Sequence, residues 1–245
     1  VTTQKWVATG TVRVDLAVAA RITFGSMAFL AEFTDYQNAD TSYLRMMSLV
    51  SADGATDRWS IDRSFNSPNY RVTLANDLGT NRFVNVNSIL SSGKHLIVIT
   101  KTTGTTTPRL HVWNGSAWTH TAFGGTQADC NTPRYLYLGG RFGQLGAAAW
   151  QPNWLYMAGL FNASLSDANC ESLTAGARAW VTRGDCVGFW QLNRETTGAL
   201  RDLSGVGSTL DTDDGTTEID TTKTSNIPLI GSVQFRRQRA VRGAA

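Results

Sequence analysis

The stretch Ser92–Trp118, SGKHLIVITKTTGTTTPRLHVWNGSAW, decides the fold. His95–Thr100 (HLIVIT) is almost wholly apolar and rich in β-branched residues, as expected of a strand covered on both faces. A polar Thr/Gly run follows and breaks it. Arg109–Trp113 and Ala117–Thr121 then flank Asn114-Gly115, a strong short-range hairpin signal, because both central residues of a type I′ turn need positive φ. One buried strand followed by a tight hairpin predicts an antiparallel sheet with something packed on each side.

The same punctuation continues in both directions. Thr11–Leu16 alternates, and Met27–Phe33 (MAFLAEF) reads as a buried strand. Tyr43–Val50, Arg58–Asp62, Tyr70–Leu74 and Arg82–Val86 follow, then Tyr135–Leu138 and Trp154–Phe161 (WLYMAGLF) beyond the hairpin. One helix is expected, with Ser166 as N-cap, Asp167 in its first turn, and Gly176 at its end; Cys170 and Leu173 lie three apart and face the core. Asp211–Thr224 is polar and Thr/Asp-rich and reads as a loop, followed by the apolar stretch Ile227–Phe235 and a basic tail. Many short strands and one helix predict an all-β, two-sheet antiparallel sandwich. The expected division is residues 1–210 as the sandwich and 211–245 as loop, last apolar stretch and tail.

Three segments resemble the concanavalin A-like, laminin G-like jelly-roll superfamily. Ser92–Trp118 resembles its central hairpin, with Lys94 where a tryptophan is usual. Tyr135–Gly176 resembles its later strands and short helix; Phe161, Asn162, Leu165, Ser166 and Leu173 fall on that pattern. Gly188–Leu210, GFWQLNRETTGALRDLSGVGSTL, resembles the strand and loop that usually open the domain, yet here it follows the rest. That order implies a circularly permuted or exchanged sandwich, since about 45 residues are too few for a second core. The resemblance implies carbohydrate or protein recognition, sometimes with calcium, and names no single ligand. The laminin G-like strands with a short basic tail also resemble modules of phage virions, such as decoration or tail proteins.

Composition sets limits on the partners. The 245 residues are 42% hydrophobic and 17% charged, enough for a large core without staples. The net charge is +3, too small to imply nucleic acid, and Arg236, Arg237, Arg239 and Arg242 leave the rest of the chain near neutral. No apolar run approaches the roughly 20 residues of a membrane span. Val1–Gly10 lacks the apolar core of a signal peptide. Cys130, Cys170 and Cys186 show no framework spacing; buried free thiols are expected, with a Cys170–Cys186 bridge as the alternative.

Candidate chemistry is sparse. Glu218-Ile219-Asp220 resembles part of the glucanase acid strand, but Lys223 stands where the last acid is needed, so no catalytic residue and no β-glucan hydrolysis are expected. Asp202-Leu203-Ser204-Gly205 matches a loop that, by the resemblance, donates to calcium; the alternative is a turn in which Asp202 bonds its own backbone. A hairpin brings His111 and His120 near one another, but no carboxylate accompanies them at zinc-ligand spacing, so ordinary strand histidines are expected. Trp113, Trp118 and Trp150 lie at or near turns, where aromatics stack on sugars or fill a subunit contact.

The first reading is therefore a non-catalytic virion structural or decoration protein that binds neighbouring subunits or its own copies. Phe235, Arg236, Arg237, Arg239 and Arg242 would be its assembly anchor. The alternative is an extracellular glycan-binding lectin module, and a glycosidase comes third.

Overall fold

The computed structural model describes residues 3–6, 11–33, 44–51, 58–63, 69–75, 82–89, 93–123, 125–126, 129, 133–138, 154–191, 200–214 and 217–220. The strands among them are β1 (Thr3–Trp6), β2 (Thr11–Asp15), β3 (Gly25–Phe33), β4 (Leu44–Ser51), β5 (Arg58–Arg63), β6 (Asn69–Ala75), β7 (Arg82–Ile89) and β8 (Gly93–Lys101). They continue with β9 (Arg109–Trp113), β10 (Trp118–Ala122), β11 (Pro133–Leu138), β12 (Trp154–Phe161), β13 (Cys186–Gln191), β14 (Leu200–Arg201), β15 (Thr209–Asp214) and β16 (Thr217–Asp220). The helices are α1 (Asp167–Ser172) and α2 (Ala177–Val181), joined through a 3-10 turn at Leu173–Ala175.

Two antiparallel sheets result. The first runs β10-β9-β8-β3-β12, and the far edge of β12 is shared: β13 lies along Met157–Phe161, while β1 lies along Trp154–Leu155 and carries β16 beyond it. The second runs β14-β15-β2-β11-β4-β5-β6-β7. The chain is a two-sheet jelly-roll sandwich.

Period-2 alternation explains what each face does. Met27, Phe29 and Ala31 of β3 join Ile97 and Ile99 of β8, Leu110 and Val112 of β9 and Trp190 of β13 between the sheets. Val14, Met47, Leu49, Trp59, Leu136 and Leu138 meet them from the second sheet. The intervening residues Ala28, Leu30, Leu96 and Val98 point outward into a second buried cluster with Leu165, Cys170, Leu173, Ala177, Trp180 and Phe189. The helical segment is thus a lid on the first sheet's outer face. This is why HLIVIT is apolar on both sides.

The expected helix is present, and Ser166 caps it: its side chain accepts from the Asn169 N–H. The chain then turns at Gly176 (φ +125°) and resumes a helix in α2. That second turn seats Trp180, whose Nε1 donates to the Leu173 carbonyl at 2.8 Å while its ring packs on Phe161 and Phe189. Cys170 and Cys186 are free, buried thiols, and burial pushes each up to about 12, so both stay protonated and inert. Cys130 lies outside the described residues.

Two sequence readings need correction. The β9–β10 hairpin forms, but Trp113 pairs with Trp118, so the turn has four residues instead of a two-residue type I′ loop. Asn114 builds it: its Oδ1 accepts from Ser116 N, Ala117 N and the Ser116 hydroxyl, and Gly115 takes a positive φ of +98°. Second, Asp211–Thr224 is not simply a loop. Residues through Asp214 extend β15 against β2, and Thr217–Asp220 form β16 against β1. Such strands are held by backbone ladders at or next to the ends of sheets, so they need no apolar alternation to betray them; threonine's β-branch favours the extended chain.

Candidate functional site

The outer face of the first sheet is not covered evenly. The helical lid leaves the β9–β10 end partly open, and the residues there follow from register. Arg109, His111 and Trp113 alternate along β9 on the face opposite Leu110 and Val112. Their β10 partners are Ala122, His120 and Trp118. Trp113 and Trp118, directly paired across the hairpin, are both half-buried and rest against the lid cluster. Trp118 lies parallel to the His120 ring, 5.7 Å between centroids and 4° between planes.

α1 supplies the other half. Asp167 and Glu171 are four apart, hence on one helical face, and they descend on the two histidines. His111 Nδ1 and His120 Nδ1 are 2.7 Å apart. Asp167 Oδ1 is 3.5 Å from the first and 3.9 Å from the second. His120 Nε2 is 3.2 Å from Glu171 Oε1, and His111 Nε2 is 3.0 Å from the Thr100 hydroxyl. Arg109 donates to Asp167 Oδ2 at 2.9 Å. Asp167 Oδ1 itself is buried and has no hydrogen-bond partner. The sequence expectation of two ordinary strand histidines is therefore incomplete: the carboxylates come from a helix far along the chain, Glu171 being 51 residues from His120, at no recognisable ligand spacing. His95 is not part of this group; it alternates onto the opposite face of β8 and bonds the Gly93 carbonyl.

His111 has no exposed side-chain surface. Burial first, then its neighbour His120, holds its pKa down at about 4. The unfolded chain takes up that proton below about pH 6.5 and folded His111 only near 4. Stability attributable to this residue is full above 6.5 and is lost as pH falls between those values. The expected size is up to about 3 kcal/mol. Thermal melts in chelator from pH 7 to 4 should fall more steeply for the wild type than for His111→Gln; parallel curves would remove His111 as the cause.

Asp202 occupies a different place, the loop between β14 and β15. It is buried, and four backbone N–H groups converge on it: Phe189 and Ser204 donate to Oδ1, Gly207 and Ser208 to Oδ2. Amide donors point where a cation would sit. This donor set fits the turn alternative; calcium takes 6–8 oxygens, and the N–H groups that meet Asp202 supply none.

The other expected site residues divide as follows. Glu218 and Asp220 fall in the strand β16. Trp150, Phe235, Arg236, Arg237, Arg239 and Arg242 lie outside the described residues. Among the described residues, no helix is long and apolar enough to cross a membrane.

No family model and no curated protein matches the chain. Solved structures do. A Bacteroides ovatus protein, described as carbohydrate binding, superposes with a TM-score of 0.60 at 11% identity, over 90% of this chain and 59% of its own. The native heptameric SAP-like pentraxin of Limulus polyphemus matches at TM-score 0.55 and 9% identity, over 89% of this chain and 94% of its own. The binding domain of botulinum neurotoxin serotype D matches at TM-score 0.51 and 11% identity, over 68% of this chain and 40% of its own. At these identities the likeness is one of fold. This chain therefore spans about three-fifths of the length of the Bacteroides protein.

Proposed function

We propose that this chain is an extracellular, non-catalytic carbohydrate-binding module and that the Trp113–Trp118 pair is its sugar platform. The observation that carries this reading is the pair itself. Two large aromatics sit directly opposite each other on an edge hairpin, partly buried against the lid, beside the exposed polar residues Asn114 and Ser116. Trp59, Trp180 and Trp190 are sealed in the core, whereas this pair keeps part of its surface open. A flat apolar face with hydrogen-bonding groups around it suits a pyranose ring, which has an apolar face and a polar rim. The likeness in fold to the Bacteroides protein described as carbohydrate binding supports the same choice.

The test is an oligosaccharide array followed by titration of the best binder. Trp118→Ala is expected to weaken binding at least about tenfold, the size of an interface hot spot, while the protein still unfolds cooperatively at a lower temperature. Unaltered affinity in both Trp118→Ala and Trp113→Ala would overturn the platform. The subunit-assembly reading rests on Phe235 and the four tail arginines. If deletion of residues 232–245 abolished association with a particle while array binding stayed absent throughout, assembly would replace the glycan reading.

A further inference from the structure

We infer that His111, His120 and Asp167 form a binding site for one zinc-class divalent ion, clamping α1 to the edge of the first sheet. The inference is independent of the glycan reading.

Three potential ligand atoms converge: His111 Nδ1, His120 Nδ1 and Asp167 Oδ1, separated by 2.7, 3.5 and 3.9 Å. A tetrahedral ion with bonds of about 2.0–2.1 Å sets its ligand atoms about 3.3 Å apart. The observed spacings bracket that value, so sub-ångström adjustments bring all three onto one ion. Two elements fixed by different means supply them. β9 and β10 place the imidazoles in strict cross-strand register, and the Ser166 cap fixes the start of α1 next to Asp167.

Without an ion the polar groups do not close. A neutral imidazole has one N–H and one lone pair. His111 Nδ1–H can donate to His120 Nδ1, the Thr100 hydroxyl to His111 Nε2, and His120 Nε2–H to Glu171. Every nitrogen is then paired, yet Asp167 Oδ1 remains buried with no donor. A buried unpaired carboxylate oxygen is costly. With an ion, both Nδ1 lone pairs and Oδ1 point at it. His111 Nε2–H then donates to Thr100, and His120 Nε2–H donates to Glu171. Ligating histidines characteristically have their second nitrogen held in this way by a carboxylate or other oxygen. Arg109 binds only Oδ2, which leaves Oδ1 for the ion.

The ligand chemistry selects the ion class. Two imidazoles and one carboxylate suit zinc and its first-row neighbours over calcium or magnesium, which want oxygen. Three protein ligands leave a fourth position for a further ligand.

The experiment uses the full chain stripped with chelator and titrated with zinc chloride. Binding of one Zn²⁺ per chain, a rise in melting temperature, and a four-coordinate visible spectrum with Co²⁺ are expected; calcium chloride should do none of these. Asp167→Asn and His120→Gln should each lose the site while melting like the stripped wild type. If His120→Gln is itself destabilised in chelator, the half-exposed Asp167→Asn decides. Glu171→Gln, a positioning change, should weaken Zn²⁺ by roughly 10–100-fold. Absence of Zn²⁺ binding by the wild type would overturn the site, and so would binding that survives Asp167→Asn undiminished. Unchanged affinity in Glu171→Gln would overturn the carboxylate charge of Glu171 as a support of the site.

Discussion

A chain ended after Arg183 should lose cooperative unfolding and come out insoluble or molten. The deleted segment looks peripheral in sequence order, but it is structurally central. Its first strand, β13, pairs with β12 along Met157–Phe161, and its third, β15, pairs with β2 along Thr209–Asp214. It thus closes one edge in each sheet. Adjacent residues of β13 fill both buried regions: Trp190 enters the space between the sheets and Phe189 the space under the helical lid. Gly188 is where the chain makes room, since a Cβ there would lie 2.5 Å from Trp190 Cη2. Emptying one buried Phe or Trp position costs about 3–5 kcal/mol. Two together consume most of the 5–15 kcal/mol of a typical domain, and the newly bared edges of β12, β2 and β1 invite aggregation. Near-ultraviolet circular dichroism and a denaturant melt of residues 1–183 are the measurement. A soluble fragment with a sharp transition would make the segment an appendage.

That example also shows what the sequence makes legible. The Gly188–Leu210 pattern identifies a core strand and its loop even though it stands at the wrong end, because apolar alternation and turn chemistry are local properties. HLIVIT is equally legible: an unbroken apolar strand requires cover on both faces, and the sheet has it. Ser166 and Asp167 announce a helix start by their own hydrogen bonding. Long-range docking is not local. Nothing near His111 or His120 signals that α1 will lay Asp167 and Glu171 across them. The two half-signals are separately visible: histidines nine apart across a hairpin, and acids four apart after an N-cap. Only the packing of the lid onto the first sheet joins them. Two late strands are illegible for another reason. β15 and β16 are held by backbone ladders, so their side chains need not alternate and they read as loop.

Asp202→Asn should be among the most damaging conservative changes in the chain. The two side chains have the same shape, so the comparison isolates the acceptor. Aspartate gives two oxygens to four N–H donors, at 3.0 Å to Phe189 and 2.9 Å to Ser204 on one side and 3.2 Å each to Gly207 and Ser208 on the other. These bonds tie the loop to β13, and a further pair of contacts extends the tie. Leu203 N donates to the Phe189 carbonyl at 2.7 Å, and the Ser208 hydroxyl accepts from Ala17 N at 3.1 Å, beyond the end of β2. Asparagine keeps one oxygen and turns an NH2 group toward two N–H donors. Two charge-assisted bonds, worth about 1.5–3 kcal/mol each, are lost and donors are left facing donors in a buried place. A loss of at least about 3 kcal/mol follows, equivalent to roughly 6–12 °C in melting temperature for a domain of this size. Melts with and without calcium chloride separate the two roles of the loop. If Asp202 is a hub for backbone amides, calcium leaves the wild-type melt unchanged and Asp202→Asn falls by the same amount in both conditions. A wild-type melt raised by calcium, with the rise absent in Asp202→Asn, would return the loop to the metal-binding role that its D-x-S-G pattern resembles.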